Sequence, residues 1–116
     1  MNNKPKYHLF KNTTYAIEGF LHAFKTENSF KLELLLAVFI IPAIFIIDFE
    51  LWQKTVLLCS AFLVLIVELL NSAIENVVDL VTKEIHPLAK SAKDIGATAV
   101  MFSIALHLIC WVLFLL

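Results

Sequence analysis

The chain has 116 residues, of which 60% are hydrophobic and 16% are charged. Soluble domains typically have about a quarter of their residues charged, and a chain of this length has too little interior to bury so many apolar side chains. The composition therefore predicts one domain whose solvent is a lipid bilayer, and the net charge of -1 gives no reason to expect a nucleic acid partner.

The segment at about residues 6–26 carries apolar side chains at helical spacing. They are Phe10, Ile17, Phe20, Leu21 and Phe24, while Lys11, Glu18, His22 and Lys25 lie elsewhere on the helix. This pattern predicts an amphipathic helix on the membrane surface, with its aromatic side at the acyl boundary and its lysines near anionic headgroups. A helix that packs on soluble protein is the alternative.

Three long apolar stretches follow, and they predict transmembrane helices at about residues 29–47, 51–82 and 91–116. Pro42 removes a backbone donor inside the first stretch and should bend it. The His86-Pro87 step should interrupt the helix between the second and third stretches. The expected fold is an all-α membrane protein with one integral-membrane domain over residues 1–116.

The lysines that flank these spans predict an orientation. Lys54 lies in the first turn, and Lys83, Lys90 and Lys93 lie in the second connection. Five more precede the uncharged part of the first span, which begins at Leu34: Lys4, Lys6, Lys11, Lys25 and Lys31. The positive-inside rule places the N-terminus and the second connection in the cytoplasm. The turn at Asp48 and the C-terminus are then expected outside.

A stripe of polar residues follows one face of the second span. At about 100° per residue, its five members fall within one arc of roughly 100°. They are Glu68, Asn71, Ser72, Glu75 and Asp79. Glu68 lies about 24 Å from Trp52 along the helix, near the inner edge of the hydrocarbon.

An ionisable residue at that depth is costly, so a functional role is the default hypothesis for Glu68. A carboxylate at the boundary between acyl chains and headgroups is well placed to accept a proton from a lipid hydroxyl. Asn71 and Ser72 have an alternative role, which is to join helices through hydrogen bonds.

Further charges point to the same side of the membrane. Asp94 is expected in the first turn of the third helix, where the helix dipole favours an anion, while Lys93 is unfavourable there unless a phosphate offsets it. Lys93 can also be read as a solvated marker of topology. Glu27 and Glu75 would supply the two carboxylates that a magnesium ion shared with nucleotide phosphates uses, although spacing alone does not bring them together. These residues suggest phosphoryl transfer.

The run Glu68–Asp79, ELLNSAIENVVD, and the later Ala92-Lys93-Asp94-Ile95-Gly96 resemble the signature of the small bacterial integral-membrane diacylglycerol kinases. The resemblance implies a homotrimer with composite active sites in the bacterial inner membrane, in contact with membrane lipids. It also implies ATP as co-substrate, Mg²⁺ as cofactor and a lipid acceptor.

The same resemblance assigns roles to individual residues. Glu68 matches the catalytic base and Asn71 is expected to support it, while Glu27 and Glu75 match the metal ligands. The ATP-binding positions are Tyr15, Glu27, Glu75, Glu84, His86, Lys93 and Asp94. The positions that contact the lipid substrate are Ser29, Phe30, Lys31, Glu33, Glu68 and Trp111.

Two other functions remain open at this stage. A related branch of the same fold phosphorylates undecaprenol, and the stretch from His86 to Lys90 resembles that branch, whereas Asp94-Ile95-Gly96 resembles the diacylglycerol branch. A small oligomeric proton-coupled transporter would also use a membrane-embedded glutamate such as Glu68.

Overall fold

The computed structural model describes residues 8–116, which form four α-helices and no β-strand. The helices are α1 (Leu9–Thr26), α2 (Asn28–Ile46), α3 (Leu51–Val81) and α4 (Pro87–Leu115). The predicted all-α class is confirmed for this part of the chain. Residues 6 and 7 of the expected surface helix, together with Lys4, lie outside the described residues.

A single residue, Glu27, separates α1 from α2. Its backbone is extended, with φ -106° and ψ 104°, and its N–H donates to the carbonyl of Ala23 at 2.8 Å. The two helices pack through aromatic side chains, because the ring of Phe20 meets the buried ring of Phe30 edge-on with centroids 5.6 Å apart. The ammonium group of Lys31 lies 5.9 Å from the ring centre of Phe24, a cation–π contact.

Helix α2 continues through Pro42 and ends at Ile46, where the ammonium group of Lys54 donates to the carbonyl of Phe45 at 2.9 Å. Helix α3 starts with a cap in which the side-chain oxygen of Gln53 accepts the N–H of Glu50 at 2.9 Å. With 31 residues, α3 is about 46 Å long and therefore exceeds a hydrocarbon layer of about 30 Å. Glu75 and Asp79 lie near the C-terminal end of this helix.

Helices α3 and α4 run antiparallel and are joined by a buried chain of hydrogen bonds. The indole N–H of Trp111 donates to Nε2 of His107 at 2.9 Å, and Nδ1 of His107 lies 2.7 Å from the hydroxyl of Ser60. The Ser60 hydroxyl in turn donates to the carbonyl of Leu57 at 3.0 Å. Because Nε2 accepts, His107 is neutral and carries its proton on Nδ1, so each member of the chain is satisfied.

The connection between α3 and α4 covers residues 82–86, which confirms the interruption predicted at His86-Pro87. Proline at the first helical position lacks an N–H that would be unpaired in any case, so α4 begins at Pro87 itself. Asp94 therefore lies in the second turn, and its expected place in the first turn is wrong. Its charge is offset by Lys90 four residues earlier rather than by the helix end.

Helices α2, α3 and α4 are each long and apolar enough to cross a membrane. The predicted number of spans agrees with this finding.

Candidate active site

Four glutamates come together where α1 ends and α2 and α3 pass each other, and we call Glu27, Glu33, Glu68 and Glu75 the acidic cluster. Glu68 is the most buried member, with 5% of its surface exposed. The carboxylates of Glu27, Glu33 and Glu75 are all close enough to interact electrostatically with that of Glu68. Because buried carboxylates without a cationic partner destabilise a fold, such a cluster is typical of a functional site.

Asn71, one turn beyond Glu68, supports the cluster from the same face of α3. Its side-chain Nδ2 donates to Oε1 of Glu75 at 3.2 Å, and 8% of its surface is exposed. Ser72 is buried beside it. The predicted polar stripe thus has a buried part at Glu68, Asn71 and Ser72 and an exposed part that extends to Asp79.

The cationic part of the site comes from α4. The ammonium group of Lys93 lies 2.7 Å from Oδ1 of Asp79 across the two helices, and Glu75 is close enough to attract it as well. Lys90 forms an ion pair with Asp94 within α4. The structure therefore brings Lys93 to the edge of the acidic cluster, while Asp94 pairs with Lys90 on the same helix.

A cleft of about 310 Å³ opens beside Lys93, where α3 ends and α4 begins. Its lining includes four of the residues expected to bind ATP: Glu84, His86, Lys93 and Asp94. The ring of His86 caps α4, because its Nδ1 accepts the N–H of Leu88 at 3.1 Å. The other ring nitrogen, Nε2, is therefore the one that can meet a ligand.

Tyr15, Glu27 and Glu75 complete the set expected to bind ATP, and none of them lines this cleft. Glu27 and Glu75 belong to the acidic cluster, and Glu75 also lies within electrostatic reach of Lys93. Tyr15 is exposed on α1.

The fit of a metal ion depends on Glu27 and Glu75. Within residues 8–116, no group of three or more His, Cys, Asp or Glu side chains is arranged to hold a metal ion. Mg²⁺ bound with a nucleotide, however, commonly takes one or two protein carboxylates, and the phosphates and water supply the remaining oxygens. Glu27 and Glu75 both act electrostatically on Glu68, so the acidic cluster contains the one or two carboxylates that such a shared metal–nucleotide site needs.

The residues expected to contact lipid fall in two places. Ser29, Phe30, Lys31 and Glu33 lie in the first turns of α2, beside the acidic cluster. Trp111 lies near the far end of α4, where it donates to His107 and its ring centre is 6.0 Å from that of Phe49. The structure does not bring Trp111 to the acidic cluster, since the rise from Gly96 to Trp111 is about 22 Å along the helix.

Sequence reasoning did not identify Glu33 as a neighbour of Glu68. One carboxylate oxygen of Glu33, Oε2, is buried without a hydrogen-bond partner in the described part of the chain, and Glu33 also lines an apolar cavity between α2, α3 and α4. The available signal was a charge placed inside an apolar stretch, which marks a functional residue in a membrane protein.

These features define an all-helical protein with three candidate membrane spans and a site rich in carboxylates at one end of them. Residues 14–115 match the family model for prokaryotic diacylglycerol kinase. The chain is 42% identical to a diacylglycerol kinase of Pseudomonas aeruginosa over 104 residues, covering 90% of this chain and 85% of the relative. A diacylglycerol kinase of Haemophilus influenzae is 38% identical, with 90% and 88% covered, and one of Escherichia coli K12 is 35% identical, with 92% and 88% covered.

The chain therefore belongs to the prokaryotic diacylglycerol kinase family. It is an enzyme, a lipid kinase of that family, and the resemblance seen in its sequence is confirmed.

Proposed function

We propose that the protein transfers the γ-phosphoryl group of ATP to the free hydroxyl of diacylglycerol, giving phosphatidic acid and ADP. The observation that carries this proposal is the burial of Glu68 among three further carboxylates, one hydrogen-bonded to Asn71, beside a lysine on α4. The names of the relatives supply the identity of the acceptor.

In the proposed reaction, Glu68 orients the lipid hydroxyl and accepts its proton as the oxygen attacks the γ-phosphorus. A new bond forms between that oxygen and phosphorus, and the bond from phosphorus to the β–γ bridging oxygen breaks, so ADP leaves with the electron pair. Little covalent chemistry is asked of the protein, because catalysis of phosphoryl transfer is mainly positioning and electrostatics.

Lys93 would meet the phosphates, which compete with Asp79 for its charge. Asp94, Glu84 and His86 line the cleft in which we place the rest of the nucleotide. Tyr15, exposed on α1, is proposed to bind ATP from the family resemblance alone. Glu27 and Glu75 would hold Mg²⁺ on the ATP phosphates, with Asn71 fixing the carboxylate of Glu75. When bound, this ion offsets negative charge on the transferring group.

We place the lipid headgroup at the start of α2, which carries Ser29, Phe30, Lys31 and Glu33 and brings Glu33 within electrostatic reach of Glu68. Trp111 can then contact the distal part of an acyl chain but not the reacting hydroxyl. This division follows from the distance along α4, because about 22 Å of helix separates Trp111 from the level of the acidic cluster.

The proposed setting is the bacterial inner membrane, with the N-terminus in the cytoplasm and α1 on the membrane surface. The large apolar side chains of α1, including Phe10, Ile17 and Phe24, are exposed in the single chain, which suits contact with acyl chains. We further propose a homotrimer surrounded by membrane lipids. The single chain leaves many apolar side chains of α2, α3 and α4 for lipid or partner copies to cover.

Undecaprenol is the second candidate acceptor, on the basis of the stretch from His86 to Lys90. The relatives described above are named diacylglycerol kinases, so diacylglycerol is favoured. A proton-coupled transporter is the remoter alternative, and it would have no need of the cleft that holds Glu84, His86, Lys93 and Asp94.

The decisive experiment is a lipid kinase assay of the purified protein with each of the two lipids, comparing wild type with Glu68→Gln. Loss of a general base lowers the rate by about 10²- to 10⁴-fold, and we expect a loss of that order with diacylglycerol. Glu18→Gln is the matched control, because Glu18 is an exposed carboxylate on α1. Greater turnover of undecaprenol would change the acceptor, and cation transport without ATP-dependent phosphorylation would contradict the kinase mechanism.

A further inference from the structure

Gly96 marks the point at which α4 approaches the polar stripe of α3. It is buried, and a Cβ added there would overlap Oδ1 of Asn71. The other helical glycine, Gly19, has no such neighbour within 4 Å. Small residues let membrane helices approach closely, and here the space left by the missing side chain is occupied by one carboxamide.

The orientation of that carboxamide is determined on both sides. Nδ2 of Asn71 faces the carboxylate of Glu75 and donates to it at 3.2 Å. Rotating the amide by half a turn would place its oxygen against the carboxylate, so the observed orientation is the favourable one. Oδ1 is then directed at Gly96, where it is buried with no hydrogen-bond partner in residues 8–116.

This orphaned oxygen is tolerated because it lies against the α-carbon hydrogens of a glycine. Contacts of this kind are weak hydrogen bonds that recur between closely packed helices. A methyl group at the same place would instead displace the carboxamide, and with it the hydrogen on Nδ2 that reaches Glu75. The backbone of Gly96 thus packs against the Oδ1 side of the Asn71 carboxamide, whose Nδ2 side supports Glu75, a proposed metal ligand.

We propose that Gly96 is a positioning residue for the metal–nucleotide site, because it leaves the space that fixes the carboxamide of Asn71 against Glu75. This inference rests on the proposed function. The same close approach sets the position of Lys93, which lies three residues before Gly96 on α4 and pairs with Asp79 on α3. A larger residue at position 96 would therefore shift both the carboxylate of Glu75 and the ammonium group of Lys93 from their positions.

The test compares Gly96→Ala, Asn71→Ala and the double variant with wild type, and uses Gly19→Ala as the matched control. Each purified protein is assayed for the KM of magnesium-ATP, the half-saturating Mg²⁺ concentration and the KM of diacylglycerol. Its resistance to unfolding in detergent micelles is measured separately, since that readout does not depend on catalysis.

We expect Gly96→Ala to raise the KM of magnesium-ATP about tenfold, the change that corresponds to one weakened charge-assisted hydrogen bond. The KM of diacylglycerol should stay within about twofold, because the atoms nearest the added methyl group all belong to Asn71, and none belongs to Glu68 or to the headgroup residues on α2. Asn71→Ala should raise the KM of magnesium-ATP by a similar factor. The double variant should have the same KM as Asn71→Ala alone, since without the carboxamide the added methyl group has nothing to overlap. Gly19→Ala should match wild type.

The proposal is overturned if Gly96→Ala behaves as wild type, if its effect multiplies with that of Asn71→Ala, or if the diacylglycerol KM changes instead. Should Gly96→Ala fail to fold, the double variant decides the matter: a folded double variant supports the contact and an unfolded one refutes it. If the wild-type protein does not phosphorylate lipid with ATP, the proposed function is overturned, and this inference with it. A normal wild-type kinase with an unaffected Gly96→Ala variant refutes the inference alone.

Discussion

The ammonium group of Lys93 on α4 and the carboxylate of Asp79 on α3 form an ion pair across the helices, with Nζ 2.7 Å from Oδ1. Both side chains are about half exposed, at 41% and 54%. Ion pairs with that much solvent contact contribute little to stability, so a phosphate group can displace Asp79 at little cost. The ion pair therefore keeps Lys93 near the acidic cluster and leaves its ammonium group able to bind a phosphate.

Lys93→Gln should lower kcat/KM for ATP by at least about tenfold, because a charged contact to phosphate is lost. Steady-state kinetics with ATP varied at saturating lipid measures the effect. Lys11→Gln is the control, since Lys11 is an exposed lysine on α1 that does not line the cleft, and its effect should stay below about threefold. Equal losses in the two variants would show that general surface charge, rather than Lys93 itself, is responsible.

Glu27→Gln and Glu75→Gln should each raise the half-saturating Mg²⁺ concentration by about tenfold or more, because one of two carboxylate ligands is removed. Titration of activity with Mg²⁺ after treatment with a chelator measures this shift. The comparison variant is Glu18→Gln, which should titrate like wild type. Unchanged Mg²⁺ dependence in both cluster variants would place the metal elsewhere.

Ser60→Ala should destabilise the packing of α3 on α4 by about 1 kcal/mol, because Nδ1–H of His107 loses its buried acceptor. Ser103 offers a matched control, as it is equally buried but its hydroxyl donates within α4, to the carbonyl of Val100 at 2.7 Å. Denaturant titration in micelles should show a clear loss for Ser60→Ala and a smaller one for Ser103→Ala. The reverse order would contradict the hydrogen-bond chain through His107.

The orientation of the chain can be tested by cysteine labelling in a background of Cys59→Ala and Cys110→Ala. We expect Asp48→Cys to react with a membrane-impermeant maleimide in intact spheroplasts. Thr82→Cys, in the connection between α3 and α4, should react only after the membrane is opened. Labelling of Thr82→Cys in sealed spheroplasts would invert the proposed topology.

Much of the architecture could be predicted because it depends on patterns within single segments. Three apolar stretches predict three helices, since backbone N–H and C=O groups inside a bilayer must form hydrogen bonds within the segment itself. The spacing of Glu68, Asn71 and Glu75 places them on one face of α3 without knowledge of any neighbour. The third span was predicted to begin at about residue 91, whereas α4 begins at Pro87, because the proline that ends one helix is also favoured at the first position of the next.

Contacts between helices could not be predicted from spacing. Nothing in the sequence states that Lys93 meets Asp79, that Glu33 lies beside Glu68, or that the carboxamide of Asn71 is directed at Gly96, since each pair comes from two different helices. These neighbours depend on how far the helices slide and rotate against each other, which is determined by packing. Glu27, Lys93 and Asp94 were singled out by their charges, whereas Tyr15, Glu84, His86 and the lipid positions on α2 came from family resemblance. The roles of all the site residues stay predictions.

The one-residue break at Glu27 has a mechanical consequence. Two backbone torsions at that position determine the angle at which α1 leaves α2, while the side chain of the same residue reaches toward Glu68. A ligand bound to this carboxylate would also restrain those torsions. Occupancy of the site would then be coupled to the tilt of α1 relative to α2.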